Sequence, residues 1–374
     1  MRICMFLNAG ISGDQRVYKE ARTLANNGYE VTVLCNQPED TLISSLWDGI
    51  TVISLPRRPS LFFPLRFTIQ WLRTAVRLRP DVVHAHDLCT LGRACLVARW
   101  TGARLVYDSH DFYTETSFVL RMPAYRKKYY YWKEAILIKF ADRVIHAVPE
   151  LCRVAAREFK IPEPTWIANF PLGESPPRNT SIHDRFKLSP HKKIVIYEGI
   201  LALDRGLENL VLCARHLSDE AVVVFVGKGY LEPVLRRLVK NHHLEEKVKL
   251  LCDDSQDRFP VYCASAYLGV AIYQRKGLTW DCGWSTKVFD YMRAGLPVII
   301  SGSVETSRLV SENRVGVEVS DPTPENLAST ITSLLEDKAA YRQYSANARK
   351  AWRGRFNWDT EAPKLLKLYR EIRA

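Results

Sequence analysis

Along the chain, short runs of apolar and β-branched residues alternate with longer segments in which apolar positions recur every three or four residues. The runs of the first half are "RICMFLN", "EVTVLC", "ITVISL", "DVVHAH", "RLVYDS", "RVIHAV" and "TWIANF". Those of the second half are "KKIVIYEG", "AVVVFVG", "KVKLLC", "YLGVAIY", "PVIIS" and "VGVEVS". They are nearly continuous rather than alternating in polarity, as in strands buried on both faces of a sheet. The segments between them have helical period. In "DQRVYKEARTLANNG", Val17, Ala21 and Leu24 form one stripe and a glycine ends it. Strands alternating with helices predict parallel sheets covered on both faces. Residues 171–190, "PLGESPPRNTSIHDRFKLSP", are dense in Pro, Ser and Gly and read as a linker. The expected fold is α/β, with two doubly wound, Rossmann-like domains facing each other across a cleft, residues 1–172 and 190–357. A last helix, "TEAPKLLKLYREIR" within 358–374, is expected to cross back to the first domain.

Open parallel sheets take ligands beyond the carboxyl ends of their strands, where helix N-termini offer unpaired N–H groups. The polar residues just after the strands are therefore the candidates. After the first run come Gly10 and Gly13, which allow close backbone approach, but no GxGxxG fingerprint. Later runs are followed by His86-Asp87 and by His110-Asp111. In the second half, Gly199 follows one run and Arg205 precedes a helix. The stretch "STKVFDYM" supplies Ser285 as a helix cap, with Lys287 and Asp290 on the face opposite Val288, Phe289 and Met292. A lysine in the first turn suits phosphate oxygens, and an aspartate one turn later suits paired ribose hydroxyls. The alternative, an i,i+3 salt bridge, is worth only a few tenths of a kcal/mol. Arg205 and the glycine turns add a second set of phosphate donors at the same edge. His84 and His146 lie inside strands and read as structural, His242 and His243 as solvated. Asp14 and Arg16 are open between a helix cap with a surface ion and an acceptor-side lining.

Charge changes the picture. The 374 residues carry a formal net charge of +12, unevenly placed. Residues 49–80 hold six arginines and no acid, and residues 116–133 hold five basic residues, four tyrosines and a tryptophan. Cations interleaved with aromatic rings suit an anionic membrane surface, so residues 57–79 and 121–133 are expected to contact one. A solvated basic face is the alternative. Single-stranded nucleic acid would need the same chemistry, but no recognition motif supports it. Nine cysteines without a Cys-x-x-Cys pair argue against a disulfide framework or structural zinc and for a reducing cytoplasm. No apolar run approaches the ~20 residues of a membrane span. The expected location is the cytoplasm, at the inner membrane face.

The stretches "DQRVYKEARTLANNGYEVTVL", "DVVHAHD", "LVYDSHD", "YEGILALDRGLENL" and "STKVFDYMRAGLPVI" together resemble the retaining GT-B glycosyltransferases of family 4. The resemblance implies transfer of a sugar from a nucleoside-diphosphate donor to an acceptor hydroxyl, without metal or other cofactor; the sequence has no Asp-x-Asp motif. By position, Asp290 matches the acidic residue that holds the donor ribose, normally a glutamate. Arg205 matches the basic residue facing the diphosphate, with Lys287 as a second cation. His110 matches a histidine that approaches the donor sugar, and Gly13 and Gly199 lie in loops near the donor. Where the family often has another glutamate, this chain has Cys282, flanked by Asp281; either Asp281 or an amide near Gly283 would replace it. Tyr267, in place of a usual aspartate, reads as structural. Front-face attack is the implied route to retention, with Asp111 or Asp281 as covalent nucleophile the competing one. The implied acceptor is a saccharide, lipid-linked if the basic stretches hold a membrane. A soluble acceptor, or a non-catalytic binding subunit, are the other readings.

Overall fold

The structure, a computed structural model, describes every residue except 38–42, 57–62, 254–257, 274–276, 278–280 and 374. The chain divides into two compact units, Met1–Asn169 with Trp358–Ala374, and Phe170–Asn357.

The first unit is built on β1 (Arg2–Phe6), β2 (Glu30–Gln37), β3 (Ile43–Trp47), β4 (Ile50–Pro56), β5 (Val82–His86), β6 (Arg104–Ser109), β7 (Arg143–His146) and β8 (Thr165–Trp166). Their order is β3-β4-β2-β1-β5-β6-β7-β8. Helices α1 (Gln15–Asn26), α2 (Phe63–Arg77), α3 (Leu88–Thr101), α4 (Ser117–Leu120), α5 (Ala124–Leu137) and α6 (Pro149–Phe159) link them. β1 is central because Ile3, Cys4, Met5 and Phe6 are all buried, with β2 and β5 pairing on its two edges. Asp14 starts α1 by accepting from the N–H groups of Arg16 and Val17.

β3 departs from the all-parallel expectation, running antiparallel to β4. The chain reverses at Asp48-Gly49, with φ of 48° and 77°, a two-residue turn whose twist suits a hairpin. Leu46 stands 76% exposed on this edge, so the strand lacks the apolar run that marks the others.

The second unit holds β9 (Lys193–Glu198), β10 (Ala221–Val226), β11 (Val248–Leu251), β12 (Leu268–Ile272), β13 (Val298–Ser301) and β14 (Gly316–Glu318), in the order β11-β10-β9-β12-β13-β14. Its described pairings are all parallel. The helices are α7 (Ser181–Phe186), α8 (Leu207–Cys213), α9 (Glu232–Asn241), α10 (Phe259–Ala264), α11 (Thr286–Ala294), α12 (Val304–Glu312), α13 (Pro324–Glu336) and α14 (Lys338–Gly354).

The segment read as a linker is part of this unit. It contains α7, whose Ile182 is fully buried and donates its N–H to Ser265 Oγ at 3.1 Å. Arg178 donates to the carbonyls of Ala264 and Ala266. Side-chain anchoring, which composition does not report, turns the stretch into a fixed strap.

The last helix, α15 (Trp358–Arg373), completes the first unit. Trp358 Nε1 donates to Thr23 Oγ1 at 2.8 Å, and Glu361 Oε2 accepts from the Ala168 N–H at 2.8 Å. Among the described residues no helix is long and apolar enough to cross a membrane.

In each sheet the strand order reverses once, between β1 and β5 and between β9 and β12. Those switch points are where doubly wound sheets open a crevice at their carboxyl edge.

Candidate functional site

At the β9/β12 switch the chain turns sharply at Gly199, whose φ is 112°. A Cβ there would lie 3.0 Å from Lys287 Nζ and 3.1 Å from its Cε. The positive φ favours glycine, and its missing Cβ leaves the ammonium group its full room. Lys287 extends from the first turn of α11, with its Nζ 5.2 Å from the ring centre of Tyr197 and 5.7 Å from that of Tyr273. The guanidinium of Arg205, in the turn before α8, stands 5.0 Å from the same Tyr273 ring. One aromatic platform at the end of β12 thus carries two cations of different origin. Rings attract cations through their negative faces.

Tyr273 reports the resulting field. Its hydroxyl is 2.6 Å from Ser285 Oγ. Burial alone would raise the phenol pKa, but Lys287 and then Arg205 overcome it, and the net shift is downward. A buried phenol held below its ordinary value marks a strongly positive locality, suited to an anion. Ser285 does sit at the N-cap of α11, but its side chain does not cap the helix. Its hydroxyl serves Tyr273 and its N–H donates to Thr306 Oγ1 at 3.0 Å.

Asp290 lies one turn after Lys287, half-buried, while Val288, Phe289 and Met292 are buried. Beside it is a group that sequence reasoning missed. Glu198, the last residue of β9, is 2% exposed and accepts from Cys263 Sγ at 3.1 Å. Burial, and then the charge of Asp290, push its carboxyl up to about 8. Glu198 thereby retains a proton at neutral pH. Asp281 and Cys282 are half-buried. The chain just after them is tied down, the Gly283 carbonyl accepting from Ser303 Oγ at 3.2 Å and from Thr306 Oγ1 at 3.3 Å. At the end of β11, Cys252 Sγ lies 2.9 Å from an Arg236 nitrogen. Asp254, two residues on, lies outside the described residues. Tyr267 stacks on Tyr341 at 4.0 Å.

In the first unit, Gly13 ends a short 3-10 turn, Ile11–Gly13, after β1, and an added Cβ would meet nothing within 4 Å. His110 follows β6. Its Nε2 is 3.2 Å from Asp108 Oδ2 and 3.2 Å from His86 Nδ1, and its Nδ1 is 3.5 Å from Asp87 Oδ2. Asp87 also accepts from the His110 N–H at 3.3 Å. To do so it adopts φ 61° and ψ 161°, a conformation costly for a residue with a side chain. Burial disfavours the imidazolium, but Asp87 and then Asp108 outweigh it, pushing His110 up to about 10.

Arg16 corrects both sequence readings, being neither a surface ion nor an acceptor-side lining. It is 2% exposed and grips Asp108 with two bonds, Nε to Oδ2 at 2.7 Å and a terminal nitrogen to Oδ1 at 2.8 Å. A further bond goes to the Ile167 carbonyl at 2.8 Å. Helical spacing could have shown its i,i+4 partner Glu20, 3.3 Å away, but not Asp108 on another strand.

Glu20, His84, His86 and Asp108 are all buried, with donor atoms within 4.8 Å of one another, a set that could hold a metal ion by proximity alone. Arg16 speaks against this. Its guanidinium is already paired with Asp108 and lies 3.3 Å from Glu20, so a second cation there would meet a fixed positive charge.

The basic stretch 121–133 forms most of α5. Its Tyr125, Tyr129, Trp132 and Ile136 are 69%, 61%, 53% and 56% exposed, at helical spacing along one face. Phe140 beyond it, and Leu96 and Trp100 on the adjoining α3, are also exposed. Arg121, Arg126 and Lys128 are exposed as well. Of the stretch 57–79, residues 57–62 lie outside the described residues and 63–77 form α2.

Two Rossmann-like units, each with its ligand-suited groups at the carboxyl edge of a mainly parallel sheet, are the architecture of the GT-B class of glycosyltransferases. The description "Glycosyl transferase 4-like domain" matches residues 13–164, and "Glycosyl transferases group 1" matches residues 179–351. The chain belongs to the GT4-like family of GT-B glycosyltransferases. It is 21% identical to a glycogen synthase of Mycobacterium tuberculosis (strain H37Rv) over 385 aligned positions, covering 95% of this chain and 90% of that protein. A glycosyltransferase of Methanocaldococcus jannaschii, MJ1607, is 23% identical over 184 residues, 48% of this chain and 45% of that protein. Among solved structures, sucrose-phosphate synthase from Thermosynechococcus elongatus superposes with a TM-score of 0.78 at 18% identity, covering 100% of this chain and 99% of that one. Anabaena Alr3699/HepE, in complex with UDP and glucose, superposes with a TM-score of 0.77 at 16% identity, covering 99% and 100%.

Proposed function

We propose that the protein transfers a sugar, with retention of anomeric configuration, from a nucleoside-diphosphate sugar to a hydroxyl of a membrane-borne saccharide. The observation that carries the reading is the pair of cations, Arg205 and Lys287, gathered on Tyr273 beside Gly199, with Asp290 one turn away. As the glycosidic bond breaks, negative charge grows on the leaving diphosphate. Two preorganised cations stabilise that charge more in the transition state than in the bound donor. Asp290 accepts from ribose hydroxyls, and the uncharged Glu198 beside it spares the nucleotide a second buried negative charge. The UDP-glucose complex known for Anabaena Alr3699/HepE supports a uridine nucleotide as the first donor to try.

Retention follows from attack on the face the diphosphate leaves, with a phosphate oxygen taking the acceptor's proton. His110, facing Asp87 and Asp108, donates to the donor sugar rather than acting as a base. The acceptor is brought close by the exposed face of α5 and α3, whose rings seat at the headgroup boundary while Arg121, Arg126 and Lys128 meet anionic lipid. On this reading the protein works at the cytoplasmic face of a membrane.

The test is incubation with UDP-glucose and a lipid-linked acceptor in anionic vesicles, with the anomeric configuration of the product read by NMR. A retained linkage supports the reading and an inverted one overturns the mechanism. Cys282, at the position where a glutamate is usual, favours a second reading, a donor-binding subunit without turnover. Donor binding with no transfer to any acceptor in the same assay would select it.

A further inference from the structure

We propose that Asp108, clamped by Arg16, is the positioning residue of His110, fixing the imidazole with both ring nitrogens as donors. Asp108 reaches no ligand itself, being fully buried at the end of β6. Its Oδ1 receives one Arg16 bond at 2.8 Å. Its Oδ2 faces Arg16 Nε at 2.7 Å, His86 Nδ1 at 3.2 Å and His110 Nε2 at 3.2 Å. A carboxylate held by a bidentate guanidinium has a fixed plane, so the direction from which His110 is addressed is fixed too. Asp87 closes on the other ring nitrogen. An imidazole between two carboxylates is satisfied on both sides only as the doubly protonated ring.

The support extends away from the site. His86 stacks on His84 with ring centres 4.3 Å apart, and His84 Nδ1 lies 2.8 Å from the hydroxyl of Tyr369 on α15. Glu20 of α1 closes the far side, 3.8 Å from His84 Nε2. The charges split cleanly across this cluster. Burial opposes ionisation of Asp108, but Arg16 and His110 hold it well below the ordinary carboxylate range. Burial and the neighbouring Asp108 push Glu20 up. Burial depresses His84, His86 and His146. The groups that face His110 are therefore the anions Asp87, Asp108 and Asp14, the cation Arg16, and neutral Glu20, His86 and His146, and the anions prevail.

The catalytic consequence rests on the glycosyl-transfer reading, but the protonation state of His110 is measurable without turnover. In the intact protein labelled on histidine, the His110 resonances, assigned with His110→Gln, are expected to show an imidazolium through pH 8. In Asp108→Asn the titration should move down by about 1–3 units, and the loss should fall on kcat more than on the donor KM, with activity declining on the alkaline side. Titration of wild-type His110 below pH 7 overturns the proposal, whether or not the variant folds. So does an unchanged titration in a folded Asp108→Asn. Metal analysis of the purified protein supplies a third arm, because about one equivalent of zinc per chain would make Asp108 a ligand instead and overturn the assignment.

Discussion

Replacing Gly199 by alanine tests the geometry of the cation platform. The residue holds φ at 112°, where a residue with a Cβ is strained by roughly 1–3 kcal/mol. The new methyl would stand 3.0 Å from Lys287 Nζ, so the end of the lysine must shift by a few tenths of an ångström beside the rings of Tyr197 and Tyr273. The second unit should lose on the order of 1–3 kcal/mol, at about 2–4 °C of melting temperature per kcal/mol for a unit of its size. The response to a nucleoside diphosphate should weaken as well, because the Lys287 ammonium shifts from its set position. Gly13→Ala is the control. Its Cβ would meet nothing within 4 Å and its φ is not positive, so the unliganded protein should keep its stability within about 0.5 kcal/mol. Differential scanning calorimetry with and without UDP reads both variants. A Gly199→Ala protein that melts with wild type and responds equally to UDP would refute the reasoning.

Three other outcomes follow from the same structure. Glu198 keeps a proton in the folded state up to about pH 8, whereas its ordinary value is 4.5, so the unfolded chain binds fewer protons in that window and stability falls as pH rises through it. Glu198→Gln should flatten that part of a denaturation-versus-pH series and exceed wild type at its alkaline end. Arg16→Met leaves Asp108 buried without its cation and should cost about 3–5 kcal/mol in urea denaturation, partly recovered in Arg16→Met/Asp108→Asn. Tyr129→Ser with Trp132→Ser, both on the exposed face of α5, should leave the melting temperature unchanged and reduce co-sedimentation with anionic vesicles.

The central strands were readable because they are covered on both faces, which makes them unbroken apolar runs; Ala221–Val226 of β10 is buried throughout. β3 escaped for the converse reason. "ISSLW" is an edge strand with an exposed Leu46, and only the Asp48-Gly49 turn betrays it. The strap before β9 was misread because Pro, Ser and Gly report local stiffness, while Ile182 and Arg178 are held by residues more than eighty positions away. On α11, helical period was enough to put Lys287 and Asp290 on the face away from the core. Tyr273 and Glu198 gave no such signal, since each ends a strand as one more buried residue and acquires its role from charges on other elements. The Arg16–Asp108 clamp spans 92 positions and has no local pattern at all.

The central claim is that the second unit binds a nucleoside diphosphate through Arg205, Lys287 and Asp290. A thermal-shift titration of the folded protein with UDP, GDP and ADP, alongside Asp290→Ala and Lys287→Ala, tests it most directly. Ligand at a hundred times its dissociation constant stabilises by about 2.7 kcal/mol. One base should stand out with wild type, and either variant should lose the response. A folded wild-type protein that none of the three nucleotides stabilises would contradict the claim.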